Sequence, residues 1–464
     1  MDDTIRDDLD QLPGLLRETY DTAVAGLSGM DARPAAVPAQ CPIREPLPED
    51  GSGLHDALDE FRHRWEPTLS GSAGPRYLGL VTGGTTPAAL AGDWLTSVYD
   101  QNVIASGDSG APELERETIG WLADLFGIGD AHRGAFVTGG TMSNLVGLAI
   151  GREWLGEQRG VSVADAGAGV LGPVTVLSGT PHSSIAKSLS ILGMGRDSLR
   201  TVTTLPDREA VDIAALETEL EALDGEPAIV VANAGTVNSV DFDDLVAITE
   251  LKRRHRFWLH VDAAFGGYAS VSPVYAGLTE GMAEADSIAI DLHKWLNVPY
   301  DSGVQFTRRR DLQVQVFRNM SAYLSAPEAT PDYLHLTPEN SRRFRALASW
   351  FTLRAYGRRG HREIVERNIA SARHLGDLLA DQPGVRLVAP VRLNVVCWTL
   401  ANRPTATRVE SALAAITASG NAYLTPTVYR GTPSIRVAFS NWRTGDEDVR
   451  IVAAAIADAV AESG

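Results

Sequence analysis

From about residue 74 onward, short apolar segments alternate with segments in which apolar residues recur at helical spacing. Repeated alternation of this kind predicts an α/β domain whose mainly parallel sheet is covered by helices on both faces. Ligands of such sheets gather at the carboxyl ends of the strands, so the residues just after each apolar segment are the most informative. The predicted strands are 134–138, 174–177, 201–205, 228–232, 257–261 and 287–290, with predicted helices at 212–223 and 245–254 among them.

The pattern changes on both sides of this region. Before residue 74, apolar residues from Leu12 to Leu27 recur at roughly helical spacing, and two proline-rich stretches follow that neither a helix nor a central strand tolerates. This arm either packs on its own domain or reaches over a partner subunit. After residue 345, predicted helices (344–355, 363–379 and 446–460) accompany predicted strands (385–388, 394–400 and 434–438). We therefore predict three parts, namely an N-terminal helical arm and strap at 1–73, a large domain at 74–345 and a small α+β domain at 346–464.

The charge balance limits the partners. Lysine and arginine total 41 against 59 aspartate and glutamate, a formal net charge of −18, and such a surface repels nucleic acid and anionic lipid. The two cysteines, Cys41 and Cys397, are far apart, which argues against a disulfide framework and against a cysteine-based metal site. The acidic N-terminus is unlike a secretory signal, and no apolar run is long enough for a membrane span. These features predict a cytoplasmic protein with no metal, nucleic-acid or membrane partner.

Two strand ends carry the residues with the clearest chemistry. The segment 287–290 delivers Lys294 just past its end, and the segment 257–261 delivers Asp262. An amine and a carboxylate at neighbouring strand ends suit pyridoxal 5′-phosphate (PLP), because the amine forms a Schiff base and the carboxylate keeps the pyridine nitrogen protonated. Lys294 stands among apolar neighbours, where desolvation favours the neutral amine that imine chemistry requires. A lysine whose stem alone is buried fits the same pattern.

Asp262 needs a partner, since an unpaired charge that directly follows a buried strand is strongly destabilising. That partner is either an arginine or a helix terminus, or else the pyridinium N–H of a cofactor. Two small residues, Ala263 and Ala264, follow the carboxylate and allow a flat ring to approach closely. This favours the cofactor.

Polar groups follow three further predicted strands, and each group has either a structural or a functional role. Gly140 and Thr141 open a predicted helix, where backbone N–H groups favour a phosphate, although a tight turn without a ligand gives the same pattern. His182 is either a hydrogen-bonded structural residue or an imidazole that lies over the pyridine ring or reaches a substrate proton. Thr236 either closes a polar turn or forms a hydrogen bond with the cofactor.

In their order and spacing, these motifs resemble one enzyme family, the group II PLP-dependent amino-acid decarboxylases. The family includes aromatic-L-amino-acid, glutamate, histidine and 2,4-diaminobutyrate decarboxylases. The resemblance covers about residues 60–445 and implies the fold-type I (aminotransferase-like) architecture, as a homodimer with active sites at the subunit interface. The matching motifs are Thr-Gly-Gly-Thr-Met-Ser-Asn at 138–144, His-Ser-Ser at 182–184, His-Val-Asp-Ala-Ala at 260–264 and Asp-Leu-His-Lys-Trp at 291–295, with further matches at 75–79, 112–115 and 341–351.

The resemblance assigns roles by position. Lys294 is the expected Schiff-base lysine, Asp262 the partner of the pyridine nitrogen and His182 the histidine stacked on the ring. Asp291 takes a place that is Asn in the animal aromatic enzymes, and Val237 stands where relatives usually have Thr. The other residues expected to contact the cofactor are Gly140, Thr141, Met142, Thr236, Ala264 and His293.

Tyr333 bears on the type of reaction. It matches the tyrosine of the family's mobile catalytic loop, here 325–338, whose phenol is thought to return a proton to the substrate carbon after carbon dioxide leaves. The prolines of this segment are consistent with a lid. Related aldehyde synthases have Phe at this position and consume oxygen, so the resemblance implies a decarboxylase that releases carbon dioxide and a primary amine. The alternatives are other PLP chemistry on the same scaffold (an oxidative aldehyde synthase, an aminotransferase or a carbon–carbon lyase) and a non-catalytic homologue.

Four residues are candidates for contact with the amino-acid substrate. Thr82 and Phe265 match substrate-pocket positions of the family. Phe265 and Val103 indicate an apolar or aromatic substrate side chain, although core packing explains them equally well. Arg436 is a candidate for binding the substrate carboxylate, with a structural salt bridge as the alternative.

Overall fold

The computed structural model of the chain describes residues 1–38, 42–105, 107–319 and 330–462. Cys41 and the first part of the predicted catalytic loop, 325–329, lie outside the described residues. The strands are β1 (Arg133–Val137), β2 (Val176–Ser178), β3 (Leu199–Thr201), β4 (Ala228–Asn233), β5 (Phe257–Asp262), β6 (Ser287–Asp291), β7 (Gly303–Thr307), β8 (Val385–Leu387), β9 (Val395–Leu400), β10 (Thr425–Tyr429) and β11 (Thr432–Ala438). The α-helices are α1 (Asp3–Ser28), α2 (Gly53–Glu60), α3 (Pro87–Tyr99), α4 (Ala111–Phe126), α5 (Gly140–Gln158), α6 (Val163–Ala166), α7 (Ser183–Ile191), α8 (Ile213–Glu221), α9 (Leu245–Leu251), α10 (Leu292–Trp295), α11 (Arg310–Phe317), α12 (Ala346–Ala380), α13 (Ala406–Ala418) and α14 (Asp446–Glu462).

The large sheet has the strand order β1-β7-β6-β5-β4-β2-β3. β7 runs antiparallel to both of its neighbours, and the other pairings are parallel, as the strand–helix alternation predicts. β7 was not predicted from the sequence, because Gln305 interrupts its short apolar run. Gln305 is fully buried, and its side chain accepts a hydrogen bond from Gln313 on α11.

The register of the central strands brings the predicted functional residues together. β4, β5 and β6 are parallel neighbours, with Asp262 opposite Asn233 on one side and Ala289 on the other. Their carboxyl ends therefore meet at one edge of the sheet. α10 begins immediately after β6 and carries Lys294 to that edge.

A second, antiparallel sheet of order β10-β11-β9-β8 lies in the C-terminal part of the chain. β10 was not predicted from the sequence, because it contains Pro426 and only Tyr429 of its five residues is buried. The two helices predicted at 344–355 and 363–379 are continuous as α12, with a non-helical residue, Gly357 (φ 58°), between them. The first part of α12 packs in the core of the large sheet, and its end packs in the core of the small sheet. Because one helix joins both cores, the domain boundary at 345/346 stays a prediction.

The N-terminal arm is helical, as predicted. Only Leu15 of α1 is buried, while a row of large apolar residues faces outward along the helix. The chain that follows contacts the segment just after α13, where the Ala35 N–H donates to the Gly420 carbonyl. Within the described ranges, no helix combines the length and the apolar character that crossing a bilayer requires.

Candidate active site

A cavity of about 430 Å³ opens at the carboxyl ends of β4, β5 and β6 and is closed on one side by β11. Most of the residues singled out in the sequence lie on its wall. They come from segments up to 354 residues apart in the chain, and the sheet topology brings them to one place. The predicted residues that line the cavity are Thr82, Gly140, Thr141, Met142, His182, Thr236, Asp262, Ala264, Phe265, Asp291, His293, Lys294 and Arg436.

Lys294 points into this cavity from α10. Its Nζ lies 3.0 Å from Asp291 Oδ2 and 5.5 Å from the centre of the Phe265 ring. Asp291 Oδ1 in turn accepts a hydrogen bond of 2.8 Å from the Gly140 N–H and lies 3.4 Å from His293 Nε2. Asp291 therefore links the lysine to the glycine turn at the start of α5.

Asp262 is held by neutral donors. Its Oδ2 accepts a hydrogen bond of 3.0 Å from Asn144 Nδ2, and its Oδ1 accepts one of 3.2 Å from the Ala264 N–H. Among the described residues, no arginine or lysine forms an ion pair with this carboxylate. The carboxylate thus retains acceptor capacity toward the cavity, which is the arrangement that a cationic ring N–H needs.

His182 lies at the mouth of the cavity, where it is exposed, and it is the N-cap residue of α7. Its Nδ1 accepts a hydrogen bond of 3.2 Å from the Ser184 N–H and lies 2.7 Å from Ser184 Oγ. Partial desolvation, assisted by the positive charges of Lys294 and Arg436, lowers the pKa of His182, and Asp262 opposes this shift. The imidazole is therefore biased toward its neutral form.

At the glycine turn between β1 and α5, the side chains of His293 and Asp291 come close to the backbone. Gly139 has φ 156°, and a Cβ added there would lie 2.9 Å from His293 Cε1, while one added to Gly140 would lie 2.6 Å from Asp291 Oδ2. α5 begins at this turn without a side-chain cap. Since the Gly140 N–H donates to Asp291, the next N–H groups, those of Thr141 and Met142, are the ones available to a ligand. Thr236 is less available, because its hydroxyl donates to Glu209 Oε2 at 2.6 Å.

Arg436 reaches the cavity from β11. The structure shows no salt bridge at this residue, because no carboxylate among the described residues pairs with the guanidinium. Among the same residues, its buried Nε also has no hydrogen-bond partner. Burial lowers the pKa of Arg436 to about 10. Arg436 is thus a buried cation beside a cavity. The buried Thr82 hydroxyl on the same wall also has no hydrogen-bond partner among the residues that the structure describes.

Two predicted residues do not line this cavity within the protomer. Val103 is fully buried in the core of the large domain, where its carbonyl accepts a hydrogen bond from Arg342. Tyr333 lies on the wall of a different cavity of about 630 Å³, with its ring 4.8 Å from the Arg342 guanidinium and 5.7 Å from that of Arg116. Burial raises the pKa of the Tyr333 phenol well above its usual value.

Sequence reasoning missed three residues that shape the site. Asn144 donates to Asp262 and to Ser184 Oγ, and Ser184 contacts His182. Tyr300 packs against His293 with ring centroids 4.6 Å apart. Asn144 was within reach of sequence reasoning, because a residue one helical turn after Gly140 faces the same side of α5.

Comparison with known proteins identifies the class. Residues 40–401 match the family model of the pyridoxal-dependent decarboxylase conserved domain, and the chain belongs to this family. A similar protein is the aromatic-L-amino-acid decarboxylase of Bacillus atrophaeus, 27% identical over 88% of this chain and 85% of that protein. The phenylacetaldehyde synthase of Arabidopsis thaliana is 24% identical over 88% and 86%. The crystal structure of Oryza sativa TDC with PLP and tryptamine superimposes with a TM-score of 0.88 at 22% identity, covering 98% of each chain, which confirms the predicted fold-type I architecture.

The chain is therefore a PLP-dependent enzyme of the carboxy-lyase class. The residues present fit this cofactor. Lys294 supplies an amine and Asp262 a carboxylate with a remaining lone pair, while the uncapped α5 turn is open to a phosphate. Buried His293 Nδ1 has no partner within the described part of the protomer, as expected beside a polar ligand.

We expect Asp291→Asn to bind PLP about tenfold more tightly, because it removes a negative charge beside the phosphate turn. The asparagine keeps an oxygen that can accept from the Gly140 N–H, whereas Asp291→Ala removes both the charge and the acceptor. Equilibrium titration of the cofactor-free protein with PLP measures the effect, and the alanine variant separates charge from geometry. Weaker binding by the asparagine variant would mean that the carboxylate, through Lys294, contributes directly to cofactor binding.

Proposed function

We propose that this enzyme decarboxylates an L-amino acid with an apolar or aromatic side chain and releases carbon dioxide and a primary amine. One observation carries the proposal: Arg436, a buried arginine that pairs with no carboxylate in the described part of the chain, shares a cavity with the proposed cofactor lysine. A guanidinium in that position provides a charge-assisted site for a carboxylate. Phe265, nearly fully buried at the cavity wall, supplies apolar surface for the substrate side chain.

The residues that line the cavity have different roles in the proposed reaction. Bound PLP supplies an electron-accepting ring that stabilises the negative charge left on the substrate carbon when carbon dioxide departs. Lys294 Nζ is the amine for covalent attachment, and Asp262 holds a proton at the pyridine nitrogen. The helix-terminal turn at Gly140 receives the phosphate, and Arg436 orients the substrate carboxylate.

A substrate screen tests this proposal. The holoenzyme is incubated with the twenty amino acids and with ornithine, 2,4-diaminobutyrate and dopa, and carbon dioxide is measured together with the organic product. We expect amine and carbon dioxide in equal amounts from an aromatic or apolar substrate. Formation of aldehyde with ammonia and peroxide would favour an aldehyde synthase instead. This activity is the second candidate because of the similarity to the Arabidopsis enzyme. Absence of both products, with no cofactor absorbance, would favour a non-catalytic homologue.

We further propose a homodimer. The outward face of α1 carries a row of large apolar residues, of which Ile5, Leu9 and Leu16 are each more than half exposed. Tyr20 continues the row to α3, where its ring contacts Trp94. A continuous apolar face of this kind favours burial against a second protein surface, and a second copy of the chain is the occupant that the family resemblance implies.

Leu9→Glu with Leu16→Glu should turn the dimer into a monomer. Both substitutions keep good helix formers but place two carboxylates on the apolar face, which we expect to weaken association about 100-fold or more. Sedimentation velocity measures the mass over a range of protein concentrations. Arg17→Glu, an acidic substitution on the same exposed helix but outside the apolar row, is the matched control and should remain dimeric. A dimer in the double variant would mean that α1 is not at the interface.

Tyr333→Phe should keep PLP binding and divert the product from amine toward aldehyde, because the phenol is the proposed proton donor to the substrate carbon. Since Tyr333 does not line the cavity of its own protomer, we propose that it acts in the cavity of the partner subunit. Co-expression with Lys294→Ala tests this. If the tyrosine acts across the interface, hybrid dimers contain one site with both Lys294 and Tyr333 and recover amine formation. If hybrids recover nothing, the tyrosine acts within its own subunit or not at all.

A further inference from the structure

A line of hydrogen bonds runs beneath the active-site cavity, from the buried side of β5 and β6 through α5 to α7. Trp258 Nε1 lies 3.0 Å from Ser287 Oγ, which lies 2.7 Å from His260 Nδ1. On the other side of that ring, His260 Nε2 lies 2.9 Å from Asn144 Oδ1. The amide nitrogen of Asn144 then reaches both Ser184 Oγ and Asp262 Oδ2, each at 3.0 Å, and Ser184 Oγ meets His182 Nδ1 at 2.7 Å.

Three groups in this line have only one possible role. The indole N–H of Trp258 can only donate, and the Asp262 carboxylate can only accept. The backbone N–H of Ser184 can also only donate, and its acceptor is His182 Nδ1. These groups set the direction of every other hydrogen bond between them.

The direction follows step by step. Because the group facing Asp262 is a donor, the Asn144 amide turns its nitrogen to the carboxylate and its oxygen to His260, so His260 Nε2 carries a proton. Burial lowers the pKa of His260 to about 4, and a neutral ring protonated at Nε2 has a lone pair at Nδ1. Ser287 therefore donates to His260 Nδ1 and accepts from Trp258.

At the other end, the second amide proton of Asn144 goes to Ser184 Oγ. Because His182 Nδ1 accepts from the Ser184 backbone N–H, this nitrogen has no proton, so the Ser184 hydroxyl donates to it. With Nδ1 accepting from both the hydroxyl and the backbone of Ser184, the proton of the neutral imidazole is at Nε2. Every donor in the line meets an acceptor, with His182 Nδ1 shared by the two donors of Ser184, and the pattern is complete without a charged histidine.

We propose that Ser287, His260 and Asn144 are positioning residues, which hold the Asn144 amide with its protons toward Asp262 and thereby keep His182 a donor at Nε2. A reversed amide would place the Asn144 oxygen against the Asp262 carboxylate, two acceptors at hydrogen-bond distance in a buried site. Ser287 and His260 thus act on the cofactor-facing carboxylate from further along the α5-covered face of the sheet, without contacting substrate. The inference adds to the cofactor site and does not depend on which amino acid is the substrate.

The tautomers can be measured directly in the holoenzyme labelled with ¹⁵N-histidine. Long-range ¹H–¹⁵N correlation spectra distinguish the protonated from the unprotonated ring nitrogen, and spectra of His260→Gln and His182→Gln assign the two signals. We expect both rings to be neutral and protonated at Nε2 at neutral pH. A proton at Nδ1 of His260 would overturn the proposal, whatever the activity of the enzyme.

Ser287→Ala tests the remote end of the line. Removing the hydroxyl takes away the donor to His260 Nδ1, so we expect a mixture of His260 tautomers and a PLP dissociation constant raised about fivefold. Ser178→Ala is the matched control, because Ser178 is also a buried strand serine with one hydrogen bond, to the Val231 carbonyl, outside the line. Unchanged His260 tautomer and PLP affinity in Ser287→Ala, or equal changes in both variants, would contradict the positioning role. If Ser287→Ala fails to fold, the tautomer of His260 in the unsubstituted enzyme still supports or contradicts the proposal.

Discussion

Lys294→Ala should abolish covalent attachment of the cofactor and lower the rate of decarboxylation by about 10³-fold or more, the scale of loss expected when a group that serves several steps is removed. The chain offers few alternatives for this chemistry, since its only lysines are Lys187, Lys252 and Lys294. Lys252 pairs with Asp286, and Lys187 is exposed on α7. Lys294 alone of the three lines the cavity.

Borohydride reduction of the holoenzyme, followed by peptide mass spectrometry, provides the measurement. The cofactor should be attached to the peptide that contains Lys294 and to no other. Lys187→Ala and Lys252→Ala serve as controls and should keep the label and the rate. Attachment at another amine, or full activity of Lys294→Ala, would remove the basis for the proposed chemistry.

Asp262→Asn should reduce the rate of decarboxylation about 10²- to 10³-fold, because the amide cannot hold a proton on the pyridine nitrogen by charge. The side chain keeps its size, so the hydrogen bonds from Asn144 and Ala264 can reorganise without a cavity. We expect PLP to remain bound and its visible absorbance to respond differently to pH. The loss should be in kcat more than in KM, since the carboxylate does not contact the substrate side chain.

The matched control for this prediction is Asp286→Asn. It makes the same change in a carboxylate at the opposite edge of the same sheet, where Asp286 accepts from the Leu259 N–H and pairs with Lys252. It should change thermal stability but leave the rate and the cofactor spectrum unaltered. A rate in Asp262→Asn close to that of the unsubstituted enzyme would show that ring protonation does not depend on this residue.

Much of the site was predictable because it depends on local rules. Apolar runs that end in Asp262 and before Lys294 become β5 and β6, and parallel neighbours place their carboxyl ends at one edge. The glycines at 139 and 140 predict a turn that an anion can approach, and in the structure a Cβ at either would collide with His293 or Asp291. These strand ends and this turn follow from residues close together in the chain, although the side chains that pack against the turn come from β6 and α10.

Other features depend on packing between distant segments. From the sequence, Arg436 could either bind the substrate carboxylate or form a structural salt bridge. Only the absence of a carboxylate partner among the described residues distinguishes these two roles. Val103 was expected in the site because it is apolar, but an apolar residue satisfies the core equally well, and the core is where it lies. Tyr333 occupies its own cavity in the protomer, a position that its motif does not reveal.

The sequence by itself determined the family and the cofactor, and it placed a lysine and an aspartate at neighbouring strand ends, since these follow from motifs in which spacing along the chain sets spacing at a strand end. Only the tertiary structure decided which way the Asn144 amide points and which charges are unpartnered. Hydrogen-bond direction and charge pairing depend on contacts between side chains that are more than a hundred residues apart, such as Asn144 with Asp262 and with His260. Such contacts exist only once the sheet and its helices have packed.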